Sequence, residues 1–405
     1  GSFTDTDEEY DGGDYDETTF APIDVDDIYI RRTAGHAKII GAELLDGLLD
    51  VQVTYAKSRS DRIYEDIGKK AWFASVYRYK GDMDLVNAQA KITLNDRNAI
   101  TIGADYQEDH VRGWMIGQRK YKGWDETTYT TGYYVAYQTE PIDNLFFNAN
   151  LRLNDHSDFA HEWTGDVSAS YLVEPTRTTF KSAIGKGYRA PNPYELMPLA
   201  NNAWYWRGNP DLEPETALTW SVGVNQPIVA DVLDAEVTYF QNQVEDFIDG
   251  YGGYDEDTFF SYPTNVDKLK IRGIEAAINA YPFKELSLKL AYTWQHVRDT
   301  ETGAKHLAFI PDHKISFDAN YNPITPLILN LGGVFVGSRY NAGLSSKMDN
   351  YCLLHSTVTW KFSDNLKAYV RVDNLLNENY TTYDSFGVIY NTYGRTYYAG
   401  LSYSF

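Results

Sequence analysis

The chain has little of what most functional classes require. A single cysteine, Cys352, stands among 405 residues, which excludes an internal disulfide and any metal site built from several thiolates. It falls in step with Leu354, Val358 and Trp360 and reads as a small apolar residue. No uninterrupted apolar run approaches the roughly 18 residues of a membrane helix, so a membrane reading must be a β reading. Basic residues are outnumbered, 36 Lys and Arg against 57 Asp and Glu for a net charge of −21, the opposite of the basic face that nucleic acid requires. Catalytic signatures are missing as well: no Gly-x-Ser-x-Gly segment, His-Glu-x-x-His pair or phosphate loop occurs, and the chain reads as no enzyme. His156 and His161 lie close in sequence but without a third ligand nearby, which makes a poor metal pair. The residues from Gly1 onward are polar and acidic and do not read as a signal peptide. An exported protein would already have lost one.

What the chain does have is aromatic rings on a polar background. Phe, Trp and Tyr make up 15% of residues, led by 34 Tyr, while the mean hydropathy is −0.46. That combination fits strands that are apolar on alternate residues only. Such alternation recurs along the chain: Leu49, Val51, Val53 and Tyr55; Val86, Ala88, Ala90, Ile92 and Leu94; Leu145, Phe147, Ala149, Leu151 and Leu153; Leu286, Leu288, Leu290, Tyr292 and Trp294. The final ten residues, TYYAGLSYSF, alternate to the last position. A period of two marks a strand with different surroundings on its two faces. The chain is therefore nearly all β.

The connections sort into two kinds. Short turns are expected near Asp46-Gly47, 96–98, 141–144, 174–177, 228–232, 282–285, 322–326 and 363–365, and long polar links at 113–127, 187–213, 249–262, 298–311, 340–350 and 377–393. Short turns at one rim and long loops at the other are the pattern of an outer-membrane barrel. Tyr106, Tyr239, Tyr292, Trp294 and Tyr321 close the apolar stripes, where girdle residues meet headgroups. The expected fold is an all-β transmembrane antiparallel β-barrel, with about 18 strands in this chain. Its last strand is expected to pair with the first, because an unpaired edge is not tolerated in hydrocarbon.

The stretch GKGYRAPNPYELMPLANNAWYWRGNPDLEPE, residues 185–215, carries two motifs. Tyr188, Arg189, Ala190 and Pro191 form the first; Asn209, Pro210, Asp211, Leu212, Pro214 and Glu215 form the second. Downstream follow KLKIRGIEAAI (268–278), VRVDNLLNENY (370–380) and GRTYYAGLSYSF (394–405). In this order the motifs resemble those of the TonB-dependent outer-membrane receptors. The resemblance spans the whole chain. It implies a 22-stranded barrel of which residues 1–405 form one domain, N-terminally incomplete, with the plug domain and first strands absent. It also implies TonB-dependent import of a scarce metal chelate, a siderophore or cobalamin, across the outer membrane of a Gram-negative bacterium. The expected partners are that ligand, TonB through the plug, and the lipid and lipopolysaccharide around a monomer. No cofactor is required. Haem receptors of the family typically carry a His between the two motifs, and none lies between Arg189 and Asn209. A passive porin-like channel is the alternative reading.

Two groups of site residues stand out. Trp204, Tyr205 and Trp206, with Tyr194 and Arg207 beside them, cluster in an expected extracellular loop and suit capture of a flat or catecholate-bearing ligand by stacking. Residues 1–27 hold eleven acidic side chains and no basic one. Asp11, Asp14, Asp16, Asp24, Asp26 and Asp27 offer the dense hard oxygens that Ca²⁺ takes. Asp61 and Asp66, in what reads as the following loop, complete that candidate site. The stretch lacks an EF-hand spacing; calcium follows instead from the Asp-rich loops of the cobalamin receptors it resembles.

Overall fold

The structure, a computed structural model, describes residues 2–11, 25–66, 75–116, 123–196, 208–255, 260–300, 308–341, 344, 346–385, 388–389 and 392–404. The chain opens with β1 (Ser2–Asp11), β2 (Val25–Leu44), β3 (Leu49–Asp66), β4 (Ser75–Asn95) and β5 (Asn98–Ile116). Next come β6 (Trp124–Ile142), β7 (Leu145–His156), β8 (Glu162–Val173) and β9 (Thr178–Arg189). A short helix, α1 (Pro193–Leu196), precedes β10 (Glu215–Val229), β11 (Leu233–Asp255), β12 (Phe260–Phe283) and β13 (Leu286–Asp299). The remainder is β14 (His313–Ile324), β15 (Leu327–Val336), the small hairpin β16 (Arg339–Tyr340) and β17 (Lys347–Met348), then β18 (Tyr351–Lys361) and β19 (Leu366–Asp373). A second small hairpin, β20 (Asp384–Ser385) and β21 (Val388–Ile389), leads to β22 (Thr396–Tyr403).

Apart from the two small hairpins, the strands form one 18-stranded antiparallel sheet in which each pairs with its sequence neighbours. That matches the strand number expected from alternation. The turns between 44 and 49, 95 and 98, 142 and 145, 173 and 178, 229 and 233, 283 and 286, 324 and 327, and 361 and 366 fall on one rim, and the long connections on the other. Among the described residues no pairing joins β22 to β1; β22 pairs with β19 alone. The expected closure between last and first strands is thus not formed. Several strands are far longer than the roughly 10 residues that cross hydrocarbon, with β12 reaching 24. The links expected at 113–127 and 249–262 are accordingly shorter than the sequence suggests, since β5 ends at 116 and β6 begins at 124, and β11 ends at 255 and β12 begins at 260.

Register explains which face is which. Val53 lies opposite Ala88, which lies opposite Ala104; Ile278 lies opposite Leu290, and Leu290 opposite Phe317. The apolar stripes therefore align across strands, and they stay open to the surroundings: Ile102, Val135, Leu151, Val222, Ile278 and Leu290 are all exposed. An apolar band of this extent needs lipid, not water. Aromatics border it, with Tyr106 stacked on Tyr129 at 6.1 Å and Tyr321 edge-on to Phe283 at 6.3 Å.

The opposite face is polar and internally bonded. Arg152 makes a two-pronged pair with Asp105, at 2.6 and 2.8 Å, and lies over the Tyr134 ring. The Tyr134 hydroxyl donates to Gln89 and accepts from Asn87. Gly132 makes room for this pair, because a Cβ there would sit 1.9 Å from an Arg152 nitrogen. Asn330 donates to both Asp318 and Asn320 on the neighbouring strand. This is the wall of a wetted lumen. Apolar side chains outside and hydrogen-bonded polar ones inside invert the arrangement of a soluble sandwich.

Candidate ligand-binding site

The site is built at the long-loop rim, where the chain leaves β9 and returns on β10. Proline at 191 and 193 ends the ladder, and Asn192 caps α1 by accepting from the Glu195 N–H while Glu195 accepts from the Asn192 N–H. That reciprocal pair is a capping box. Arg189 then ties three segments together. Its guanidinium donates to both Glu215 carboxylate oxygens at 2.8 Å and to Glu195 at 2.9 Å. Glu215 also accepts from the Ile248 N–H at 2.7 Å.

A second clamp holds the far end of the same segment. Asn209 donates to the Pro263 carbonyl, and Asn265 both accepts from the Glu213 N–H and donates to the Glu213 and Asp246 carbonyls. Leu196, Leu212 and Ile248 form a small buried cluster beneath, with Phe159 packed on it. The two sequence motifs at 188–191 and 209–215 are therefore the anchors of one loop onto the β11–β12 hairpin. Burial disfavours the charged form of Glu215, but the Arg189 guanidinium and the Ile248 N–H outweigh it and hold the carboxyl below its usual range. The Glu215 hydrogen bond, joined by Glu195, pushes Arg189 further up against its own burial.

Of the residues expected to take ligand, Tyr194 is described. It sits in α1, exposed, with its ring edge-on to Tyr79 of β4 at 6.4 Å. β4 and β9 are five strands apart in the sheet, so this contact brings α1 from the end of β9 over to β4. Trp204, Tyr205, Trp206 and Arg207 lie outside the described residues. Sequence reasoning missed the partners that fix the loop, Glu195, Asn265 and Ile248, because each lies in a different segment and acts through a backbone group or a carboxylate of ordinary appearance. Below the rim, a recess of about 690 Å³ in the inner wall is lined by Lys289, Lys314, Asp318, His355, Arg371 and Tyr398, among others. It can hold a polar or anionic group.

The calcium candidates are described in part, and the register brings the ends of β1, β2 and β3 that carry Asp11, Asp26 and Asp66 side by side. Asp14, Asp16 and Asp24 lie outside the described residues; Asp11, Asp26 and Asp66 fall at strand positions rather than in loops. Asp61 is also in β3, not in a loop, and its carboxylate is taken by Arg78 and by Lys80 at 3.5 Å. The expected loop placement of Asp61 and Asp66 is corrected by strands that run well past the membrane level. Among the described residues no group of three or more His, Cys, Asp or Glu is arranged to hold a metal. His156 packs at a tilt against Phe159, ring centroids 5.2 Å apart, and burial lowers its affinity for a proton.

Comparison with known proteins agrees with this architecture. A family profile described as TonB dependent receptor-like, beta-barrel, matches residues 3–375. The vitamin B12 transporter BtuB of Vibrio vulnificus is 24% identical over 311 residues, covering 76% of this chain and 47% of that protein. The ferric enterobactin receptor PirA of Pseudomonas aeruginosa is 24% identical, covering 78% of this chain and 46% of that protein. The chain thus spans about half the length of these curated relatives. Among solved structures, the copper transporter OprC superposes with a TM-score of 0.79 at 15% identity, over 94% of this chain and 66% of that one. The siderophore receptor PirA of Acinetobacter baumannii gives 0.75 at 20% identity, over 96% and 64%. With the lipid-facing stripes, the one-sided rim of long loops and the anchored segment all in place, the chain belongs to the TonB-dependent receptors, as part of their β-barrel.

Proposed function

We propose that the protein carrying this chain imports a scarce metal chelate, a siderophore or cobalamin, across the outer membrane, with energy supplied through TonB. The observation that carries this reading is the pair of clamps at Arg189 and Asn209, beside which the exposed Tyr194 ring reaches Tyr79 at the long-loop end of a polar inner wall. Relatives named for cobalamin, ferric enterobactin and siderophores support the class of cargo. In this reading Trp204, Tyr205, Trp206 and Arg207 join Tyr194 as ligand contacts, rings supplying stacking surface and the guanidinium a charge. Calcium belongs to the proposal through the acidic stretch 8–27 with Asp66, and without Asp61, which is engaged by two cations.

The test is uptake. Cells stripped of their own receptors and expressing the full-length protein should regain growth on one of a panel of siderophores or on cobalamin. Replacing both Trp204 and Trp206 by alanine should weaken ligand binding by about a hundredfold, as for a pair of buried aromatic contacts. Unchanged affinity in that variant would remove the loop as the capture site.

A further inference from the structure

The inner face of β13–β19 carries a recess that the clamps at Arg189 and Asn209 do not touch. Register sets its row of side chains: Lys289 stands opposite Asp318, Asp318 opposite Gly332, and Gly332 opposite His355. Lys314, the second residue of β14, lies on the same face toward the long-loop end. Arg371 stands opposite Tyr398 where β19 meets β22. Together they line about 690 Å³, a volume that suits a small organic ligand. Gly332 lets the His355 ring lie against the wall, since a Cβ there would sit 2.6 Å from Nε2 and 3.1 Å from an Asp318 carboxylate oxygen.

The charges of the recess are not balanced. Asp373 accepts from Arg371 at 2.7 Å, and Asp318 accepts from the Asn320 and Asn330 amides. Both carboxylates are thus engaged by groups other than the lysines. Among the described residues no carboxylate forms an ion pair with Lys289 or Lys314, which leaves two ammonium groups open to a ligand. Val334 and Leu353, opposite each other on β15 and β18, add an apolar side. The combination suits an organic anion, not a bare inorganic one.

The roof of the recess is held in place by the loops above it. Asn374, 6% exposed, donates to the Glu378 and Tyr393 carbonyls and accepts from the Glu378 N–H. Thr392 donates to the Tyr380 carbonyl at 2.6 Å. Arg339, 3% exposed, donates to the Thr381 carbonyl and lies over the Tyr351 ring, which packs against Tyr380 at 4.8 Å. Tyr380 and Tyr393 therefore face the recess from a fixed frame. A site ordered in advance gives up less on binding than one that the ligand must assemble.

We propose that this recess takes the oxygen anions of the cargo and so restricts import to negatively charged ferric chelates of carboxylate or catecholate type, excluding uncharged chelates and cobalamin. The inference rests on the import reading and narrows it. Lys289 and Lys314 meet the ligand's oxygens through charge-assisted hydrogen bonds, and the apolar side covers its organic body.

The experiment measures binding of four probes to the purified full-length protein at low and high salt: a ferric tris-catecholate, ferric citrate, an uncharged ferric trihydroxamate and cyanocobalamin. One of the two anionic chelates should bind at least about tenfold tighter than either uncharged probe, and salt should weaken it. The double variant Lys289→Gln, Lys314→Gln should lose about tenfold for that chelate, with a flatter salt dependence. Ser316→Asp, which sets a further carboxylate into the recess, should weaken the same chelate. Equal or tighter binding of cyanocobalamin or the trihydroxamate by the unaltered protein overturns the charge selection, even where the variants fail to fold, and leaves import standing. Full affinity in a folded double variant overturns the recess as the site. Binding of none of the probes, with no growth rescued by any, removes the import reading itself and this inference with it.

Discussion

At the scale of single residues, the clamp around Arg189 and Glu215 has two consequences for solution behaviour. Replacing Arg189 by alanine removes charged hydrogen bonds to two carboxylates, and because the pair is partly open to water the cost should be modest, about 1–2 kcal/mol. The loss is local: the Ile248 amide and residues 208–214 should exchange hydrogen faster, while the barrel strands keep their protection. The pH dependence has a definite sign. Glu215 is held below its usual range in the folded protein, so its contribution is complete above about pH 4.3, the ordinary glutamate value, and fades as pH falls through the lowered one. Protection of the Ile248 amide, corrected for intrinsic exchange, should thus drop on acidification below about pH 4. A constant protection there would refute the clamp. The motif residues themselves were legible in the sequence, but their partners were not, since Asn265 and the Ile248 N–H carry no mark of their role until the fold brings them within hydrogen-bonding distance.

At the scale of elements, strand number and facing were legible because the period of two is imposed by lipid on one side and water on the other. Strand ends were not. Above the headgroups both faces meet polar surroundings, so the alternation that reveals a strand disappears while the backbone ladder continues. That is how Asp61 and Asp66 came to resemble loop residues, and why 249–262 reads as longer than the gap between β11 and β12. The facing makes a sharp prediction. Ile278, outward and near mid-band, should cost about 2–4 kcal/mol when replaced by arginine. Ala277, its inward neighbour opposite Glu236, should accept arginine within about 1 kcal/mol. Reversible urea unfolding in lipid vesicles compares the two, and equal costs would mean that the assignment of faces is wrong.

At the scale of the whole molecule, the sheet leaves two edges open among the described residues. One is β22; the other runs along β1 and, in the apolar band, along the part of β2 beyond Ala34, where pairing with β1 stops. Both reach the apolar band, with Ile39 75% and Leu401 77% exposed. Unpaired backbone groups in hydrocarbon are costly, so in a membrane each edge requires a further strand against it. The TYYAGLSYSF alternation announces the strand but not its neighbour, because hydrogen-bonding partners along an edge leave no trace in side-chain pattern. A sheet of 18 or more strands encloses a lumen wide enough for water, and the polar inner wall would pass ions if nothing blocked it. Energy-coupled import and passive diffusion therefore make opposite predictions from the same wall. The full-length protein in planar bilayers should give no steady ion conductance, and labelled chelate should enter expressing cells only while TonB is present. Steady conductance, together with uptake that survives removal of TonB, would replace import by simple diffusion through the lumen.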